Sequence, residues 1–398
     1  MKKSISIFIL VCVNFQILNA KAPKEKIPVV VITDLYHPYQ DPGDNLDLIN
    51  DFAFPNVEVK AIILDISYAF RKDTADHPTL WKDPRGPREV GFVPVLQLNY
   101  IFDRNIPYAI GPMSMMKSET DKMNDIPLFQ QKGVELLLNV LRKSAKPVEI
   151  LSFGSARVIA VAYNKEPALM KSKVAKIHLS AGSAVKDFQP GSDQGANAIP
   201  GGEWNVALDP FAFTRIMRSN LPVAIYPCSG INGAFNKDKN STYWQLPNLD
   251  FVGQMDMRLQ RYIDFAMMKS NISTFLSTMD KGNPFPKYFP SYPAPFHVWE
   301  TSLWINVSQS KLIKNDTGTY EIISKSDLKP NDEIISNELR PCVLNVRDDG
   351  RFTFEYTSRP TNFSIFYREN PDIHEKALQQ AVPKLFVSYA TKLIGILK

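Results

Sequence analysis

Pro28-Val-Val-Val-Ile-Thr33, followed at once by Asp34 and the polar stretch that runs on to Ile49 (TDLYHPYQDPGDNLDLI from Thr33), is the part of the chain on which the fold turns. A continuous β-branched run with no polar alternation is what a strand covered on both faces requires. Working outward, similar runs recur at Val57–Leu64, Ile106–Gly111, Val148–Gly154, Val174–Gly182 and Leu221–Tyr226. Between them lie stretches such as LFQQKGVELLLNVLRKS (Leu128–Ser144), with apolar residues at helical spacing. Strand and helix in alternation predict an α/β fold: a mostly parallel open sheet with helices on both faces. Ligands in such folds bind beyond the carboxyl ends of the strands, so chemistry is expected just after Thr33, Ser152 and Leu179.

Composition narrows the functional classes. Of 398 residues, 44% are hydrophobic and 22% charged, which excludes wholesale disorder. Mean hydropathy is −0.18, and beyond the N-terminus no apolar run reaches the roughly 18 residues needed to span a bilayer. Lys and Arg number 46 against 41 Asp and Glu, a small and scattered excess that gives no reason to expect nucleic acid as a partner. Residues 1–22 combine a basic start (Lys2, Lys3), an apolar core and small residues at Ala20 and Ala22. They read as a signal peptide, with a lone membrane anchor as the alternative. The expectation is an exported protein, periplasmic or extracellular, with no membrane contact after cleavage. Cys228 and Cys342 would then be the remaining cysteines, enough for one disulfide but not a framework.

Residues 23–306 are expected to form the α/β domain. From 307 to 398 the pattern changes to a small β-rich and helical extension packed on it. CVLNVRDDGRFTFEY (Cys342–Tyr356) predicts two strands joined at Asp349-Gly350, and Asp372–Lys398 is helical in pattern despite Pro383.

The loop after the first strand holds Asp34, Asp41, Asp44 and Asp47. Carboxylates gathered where a buried strand ends suit a hard cation. The alternative is that Asp44 caps the following helix and Asp47 is solvated. Two later segments bear on the choice: NAIPGGEWNVALDPFAF (Asn197–Phe213) and FHVWETSLW (Phe296–Trp304).

Together these three segments resemble the nucleoside hydrolase family, which cleaves the N-glycosidic bond of nucleosides. The match runs in the family's order over about residues 28–306. Its most specific part is Asn197-x(5)-Glu203-Trp204-Asn205-x(3)-Asp209-Pro210. The resemblance implies a calcium-dependent glycosidase. Its ion would be held by Asp34, Asp44, the carbonyl of Phe153 and Glu300, with Asp34 also the candidate base for the attacking water. Asn197, Glu203 and Asn205 would hold the ribose, and Trp204 and Trp299 would pack on the base, as in the purine-preferring branch. Gly43 falls where the family carries the first acid of an Asp-Asp pair, and Asp41 or Asp47 is the candidate substitute. The partner implied is a small nucleoside or related glycoside, and homo-oligomers are compatible with the resemblance. Gly43 also motivates the alternative of a catalytically weakened homologue that binds sugar or nucleoside without turnover.

Overall fold

The computed structural model describes residues 26–36, 42–66, 90–185, 203–268 and 295–391. In chain order its strands are β1 (Ile27–Thr33), β2 (Val57–Leu64), β3 (Tyr108–Ile110), β4 (Val148–Ser152), β5 (Val174–Ser180), β6 (Ser183–Ala184), β7 (Val223–Tyr226) and β8 (Ser229–Gly230). They continue with β9 (Trp244–Leu246), β10 (Phe296–Val298), β11 (Ser310–Lys314), β12 (Tyr320–Ser324), β13 (Glu333–Ile334), β14 (Glu338–Val346), β15 (Phe352–Tyr356) and β16 (Phe363–Tyr367).

Nine of these make one sheet in the order β15-β14-β16-β7-β5-β4-β1-β2-β3. From β16 to β3 every neighbouring pair is parallel, and only the two pairs made by β14 are antiparallel. The α/β expectation therefore holds. Its cause is visible in β1: Val29 and Val31 belong to the core on one face, and Val30 and Ile32 to the core on the other. With period 2 and both faces covered, no position is left for a polar residue. The helix Leu128–Lys143 buries Val134, Leu137, Leu138 and Leu141, a single stripe at helical spacing. On the opposite face, the helix Pro42–Ala53 presents Leu46, Ile49 and Phe52 to the sheet.

Beyond residue 306 the chain first makes a small antiparallel sheet, β12-β11-β13. It then returns to the main one: β16 pairs in parallel with β7, and β14 and β15 extend the edge. Gly350, at φ 82°, makes the turn between β14 and β15 where Asp349-Gly350 was expected. The helix Pro371–Ser388 runs through Pro383, with Asn370 capping its first N–H groups. The one-disulfide option does not arise: Cys228 and Cys342 are both free and buried. Among the described residues no helix is long and apolar enough to cross a membrane. The segment 1–22 lies outside them, as do Asp41 and Asn197.

Candidate active site

The parallel strands bring their carboxyl ends to one side of the sheet, and Asp34 follows β1 there, 7% exposed. Next to it β4 ends, and Phe153 donates its N–H to the Ile32 carbonyl at 2.8 Å. The chain then turns at Gly154, where an added Cβ would lie 3.0 Å from the Asp34 Cβ and 3.4 Å from its Cγ. The β4 turn therefore passes close against Asp34, and a larger residue at 154 would have to displace one or the other by a few tenths of an ångström.

The next strand, β5, ends in Ser180, whose hydroxyl donates to Glu300 Oε1 at 3.0 Å. The Trp299 N–H donates to the other Glu300 oxygen at 3.2 Å. The same hydroxyl lies 3.3 Å from Cys228 Sγ. Burial pushes that thiol well up, and Glu203, Glu300 and Asp34 add to the effect. Acids from three distant parts of the chain thus act on one buried sulfur at the strand ends.

Asp47 is not solvated but 4% exposed, close enough to Glu300 for the two carboxyls to act on each other. Burial raises its pKa well above the usual carboxylate range, and the negative charges of Glu300, Asp44 and Asp51 raise it further. Asp44 lies half-buried in the first turn of the helix that starts at Pro42, where its charge suits the helix dipole, and is not itself the cap. All these donors are oxygens, the chemistry calcium takes. Asp47 Oδ2 is buried without a hydrogen-bond partner, an acceptor that an ion would satisfy. The donor types therefore fit a hard cation. A closed cage is not preformed, since among the described residues no three His, Cys, Asp or Glu side chains stand close enough together to hold one.

Glu203 and Asn205 reach the same end, tied to the chain. Glu203 accepts the N–H of Gly182 at 2.7 Å, of Asn205 at 3.0 Å and of Val206 at 3.3 Å. Burial raises its pKa against the pull of those three donors. Asn205 Nδ2 donates to the Ser180 carbonyl at 2.7 Å. Trp204, in the short helix Trp204–Ala207, is half-buried.

Trp299 donates its indole N–H to the Cys228 carbonyl at 2.8 Å, which fixes the ring. Tyr243 lies 5.5 Å from it and Phe235 5.7 Å, centroid to centroid. His297, exposed to solvent, shares a 2.8 Å hydrogen bond between Nδ1 and the Tyr243 hydroxyl. Partial burial lowers the His297 pKa. These rings form a wall beside Glu300.

Sequence reasoning missed one more acidic centre. Asp65 follows β2 as Asp34 follows β1, and it is fully buried. It accepts the Ser155 N–H at 3.0 Å and the Ser155 hydroxyl at 2.5 Å. Arg157, also fully buried, lies 3.7 Å from Asp65, and its Nε donates to Asp209 at 2.9 Å. Burial raises the Asp65 carboxyl to about 6 even though Arg157 and Ser155 pull it down. The strand-end rule that singled out Asp34 applies equally to Asp65 and was the available signal.

No protein-family model matches the chain. Its sequence is similar to a pyrimidine-specific ribonucleoside hydrolase of Salmonella enteritidis, 30% identical over 194 residues. It is 29% identical over 193 residues to the enzyme of the same description from Salmonella paratyphi B. Over somewhat under half of its length the chain is thus similar in sequence to ribonucleoside hydrolases. Each alignment covers 46% of this chain and 57% of the relative, just over half of the relative's length. Among solved structures, an inosine-uridine preferring nucleoside hydrolase from Bacillus anthracis is similar over 90% of this chain and 99% of its own, at 13% identity and a TM-score of 0.46. A plant nucleoside hydrolase is similar over 92% and 99%, at 15% identity and a TM-score of 0.49.

Proposed function

We propose that the protein hydrolyses the N-glycosidic bond of a nucleoside, with calcium held at the strand ends by Asp34, Asp44, the Phe153 carbonyl and Glu300. What supports this reading is the placement of Asp34 after β1 and of Glu300 against Ser180 at the end of β5, in a chain similar in sequence to ribonucleoside hydrolases. Cleaving such a bond builds positive charge on the sugar, which buried carboxylates around the ring stabilise. A bound divalent ion would supply the charge that orients and acidifies a water. Asp34, packed against the Gly154 turn, would be the base that takes that water's proton, and Asp41 is the second candidate base. Asn197, Glu203 and Asn205 would orient the ribose. Trp204 and Trp299 offer ring faces for the base, and the His297–Tyr243 pair can hand a proton to it as it leaves. The rings suit a purine, whereas both relatives are named for pyrimidines, so the base class is a matter for the assay. Export through the segment 1–22 belongs to the same proposal.

The test is release of reducing sugar from inosine, adenosine, uridine and cytidine, with calcium or with chelator. Asp34→Asn should lower the calcium-dependent rate by about 10²-fold or more. No metal-dependent release from any of the four would overturn the enzymatic reading. A second reading, binding without turnover, is favoured by Glu203, whose oxygens are already taken up by three backbone N–H groups. Calorimetry separates the two: this reading requires heat of nucleoside binding in calcium with no sugar released.

A further inference from the structure

Arg368 follows β16 and is 0% exposed. Its Nε donates to the Asp238 carbonyl at 2.9 Å, and its Nη2 to the Tyr243 carbonyl at 3.0 Å and to Ser241 Oγ at 3.4 Å. Its own N–H donates to the Lys239 carbonyl at 2.8 Å. A single side chain and its backbone therefore hold both ends and the middle of the loop Asp238–Tyr243. That loop ends in the residue whose hydroxyl contacts His297 and whose ring lies beside Trp299.

The other side of the guanidinium faces His374 Nδ1 at 3.4 Å. An arginine can only donate, so Nδ1 accepts and the ring proton is on Nε2. Nε2 then donates to Asn337 Oδ1 at 3.0 Å. The Asn337 amide donates in turn to the Ser302 carbonyl and to Asn306 Oδ1, both at 3.1 Å. Burial and the Arg368 charge hold His374 well below the ordinary histidine range, which keeps this one-way chain of donors intact. Ser302 and Asn306 belong to the helix Thr301–Val307, which begins directly after Glu300.

Burying a guanidinium is costly, and the nearby charges of Asp238, Glu375 and Asp372 offset only part of that cost. The burial lowers even this arginine's pKa to about 10. What the residue does is read from its geometry, since its donors reach both a loop and a neighbouring side chain. We infer that Arg368 is a positioning residue that braces the ring wall: through the Asp238–Tyr243 loop it sets Tyr243 against His297 and Trp299, and through His374 and Asn337 it ties that wall to the helix behind Glu300. The strand-and-helix segment after residue 337 thereby has a part in shaping the site. The inference rests on the proposed function only in taking the ring wall as the face a nucleoside meets.

The test uses the full chain. Arg368→Met should fold with unchanged far-UV dichroism, while tryptophan emission and its quenching by acrylamide change. The difference between wild type and R368M should vanish in a Trp299→Phe background, which separates Trp299 from Trp244 in the adjoining strand. Arg368→Lys should restore part of it. If nucleosides are turned over, KM should rise about tenfold in R368M with kcat changed far less. The fluorescence readout needs no substrate, so it stands even if the hydrolase reading fails. A folded R368M whose Trp299 signal matches wild type would overturn the inference. Should R368M fail to fold, Asn337→Ala cuts the chain at its far end, and a folded N337A whose Trp299 signal matches wild type would overturn the inference equally.

Discussion

Asp34 sits where one added methyl group would press on it. At position 154 the Cβ of an alanine would stand 3.0 Å from the Asp34 Cβ, tighter than ordinary contact. Either the β4 turn or the carboxylate must give by a few tenths of an ångström. Both are packed at the sheet end, so Gly154→Ala is expected to cost about 1–3 kcal/mol of stability. In the hydrolase reading it should also lower kcat/KM about tenfold, checked by kinetics alongside a urea melt. Unaltered kinetics would mean that the close approach does not set the position of Asp34. Asp47 illustrates a different point at this scale. Asp44, Asp47 and Asp51 recur along one face of a helix, a spacing that by itself reads as a solvated edge. Asp51 is 2% exposed with neither side-chain oxygen hydrogen-bonded among the described residues, and Asp47 is buried where the Glu300 charge acts on it. Helical periodicity says which residues share a face and nothing about what that face meets.

Between elements, the cluster of Asp65, Ser155, Arg157 and Asp209 joins the end of β2 to the helix Arg157–Lys165 and to the cap of the helix Pro210–Met217. Arg157 also donates to the carbonyls of Pro112 and Leu208, both at 2.8 Å. Four connections thus share one buried cation, which makes the cluster a structural joint rather than a substrate contact. Its titration gives a stability signature. The Asp65 carboxyl is raised from 3.8 to about 6 on folding, so between those values the folded chain holds a proton that the unfolded chain has lost. The stabilisation from that proton is complete below about pH 4 and disappears as pH rises through 6. Buried His178 and His374, both lowered, act in the opposite sense, so the clean measurement is a difference. The stability of wild type minus that of Asp65→Asn should fall by about 2–3 kcal/mol between pH 4 and pH 7, followed in urea. A difference flat across that range would show an ordinary carboxyl.

For the whole molecule, the decisive feature is that the C-terminal chain returns to the main sheet. Phe352, Phe354 and Ile365 enter the core on one face, and Phe366 and Phe386 the core on the other. At about 1.5–3 kcal/mol for each large apolar side chain, these five contribute on the order of 10 kcal/mol. That is comparable with the entire net stability of a typical domain, roughly 5–15 kcal/mol. A chain ending at residue 306 would also leave β7 as a bare edge. It is expected to lose cooperative unfolding and to aggregate. A soluble 1–306 chain with a sharp calorimetric transition would contradict this.

The sequence by itself determined the order of strands and helices, the burial of the sheet on both faces and the acid waiting at the end of β1. These are carried by short-range periodicity: Val29 to Ile32 alternate between two cores because both neighbours of the strand are apolar layers. Only the tertiary structure decided that Asp47 meets Glu300, that Arg157 serves both Asp65 and Asp209, that β16 lies against β7, and that Arg368 grips the Tyr243 loop. The physical reason is common to all four. Which charge or hydrogen bond a buried polar group finds depends on what stands across from it in space, and residues far apart in the chain leave no local pattern to announce their meeting.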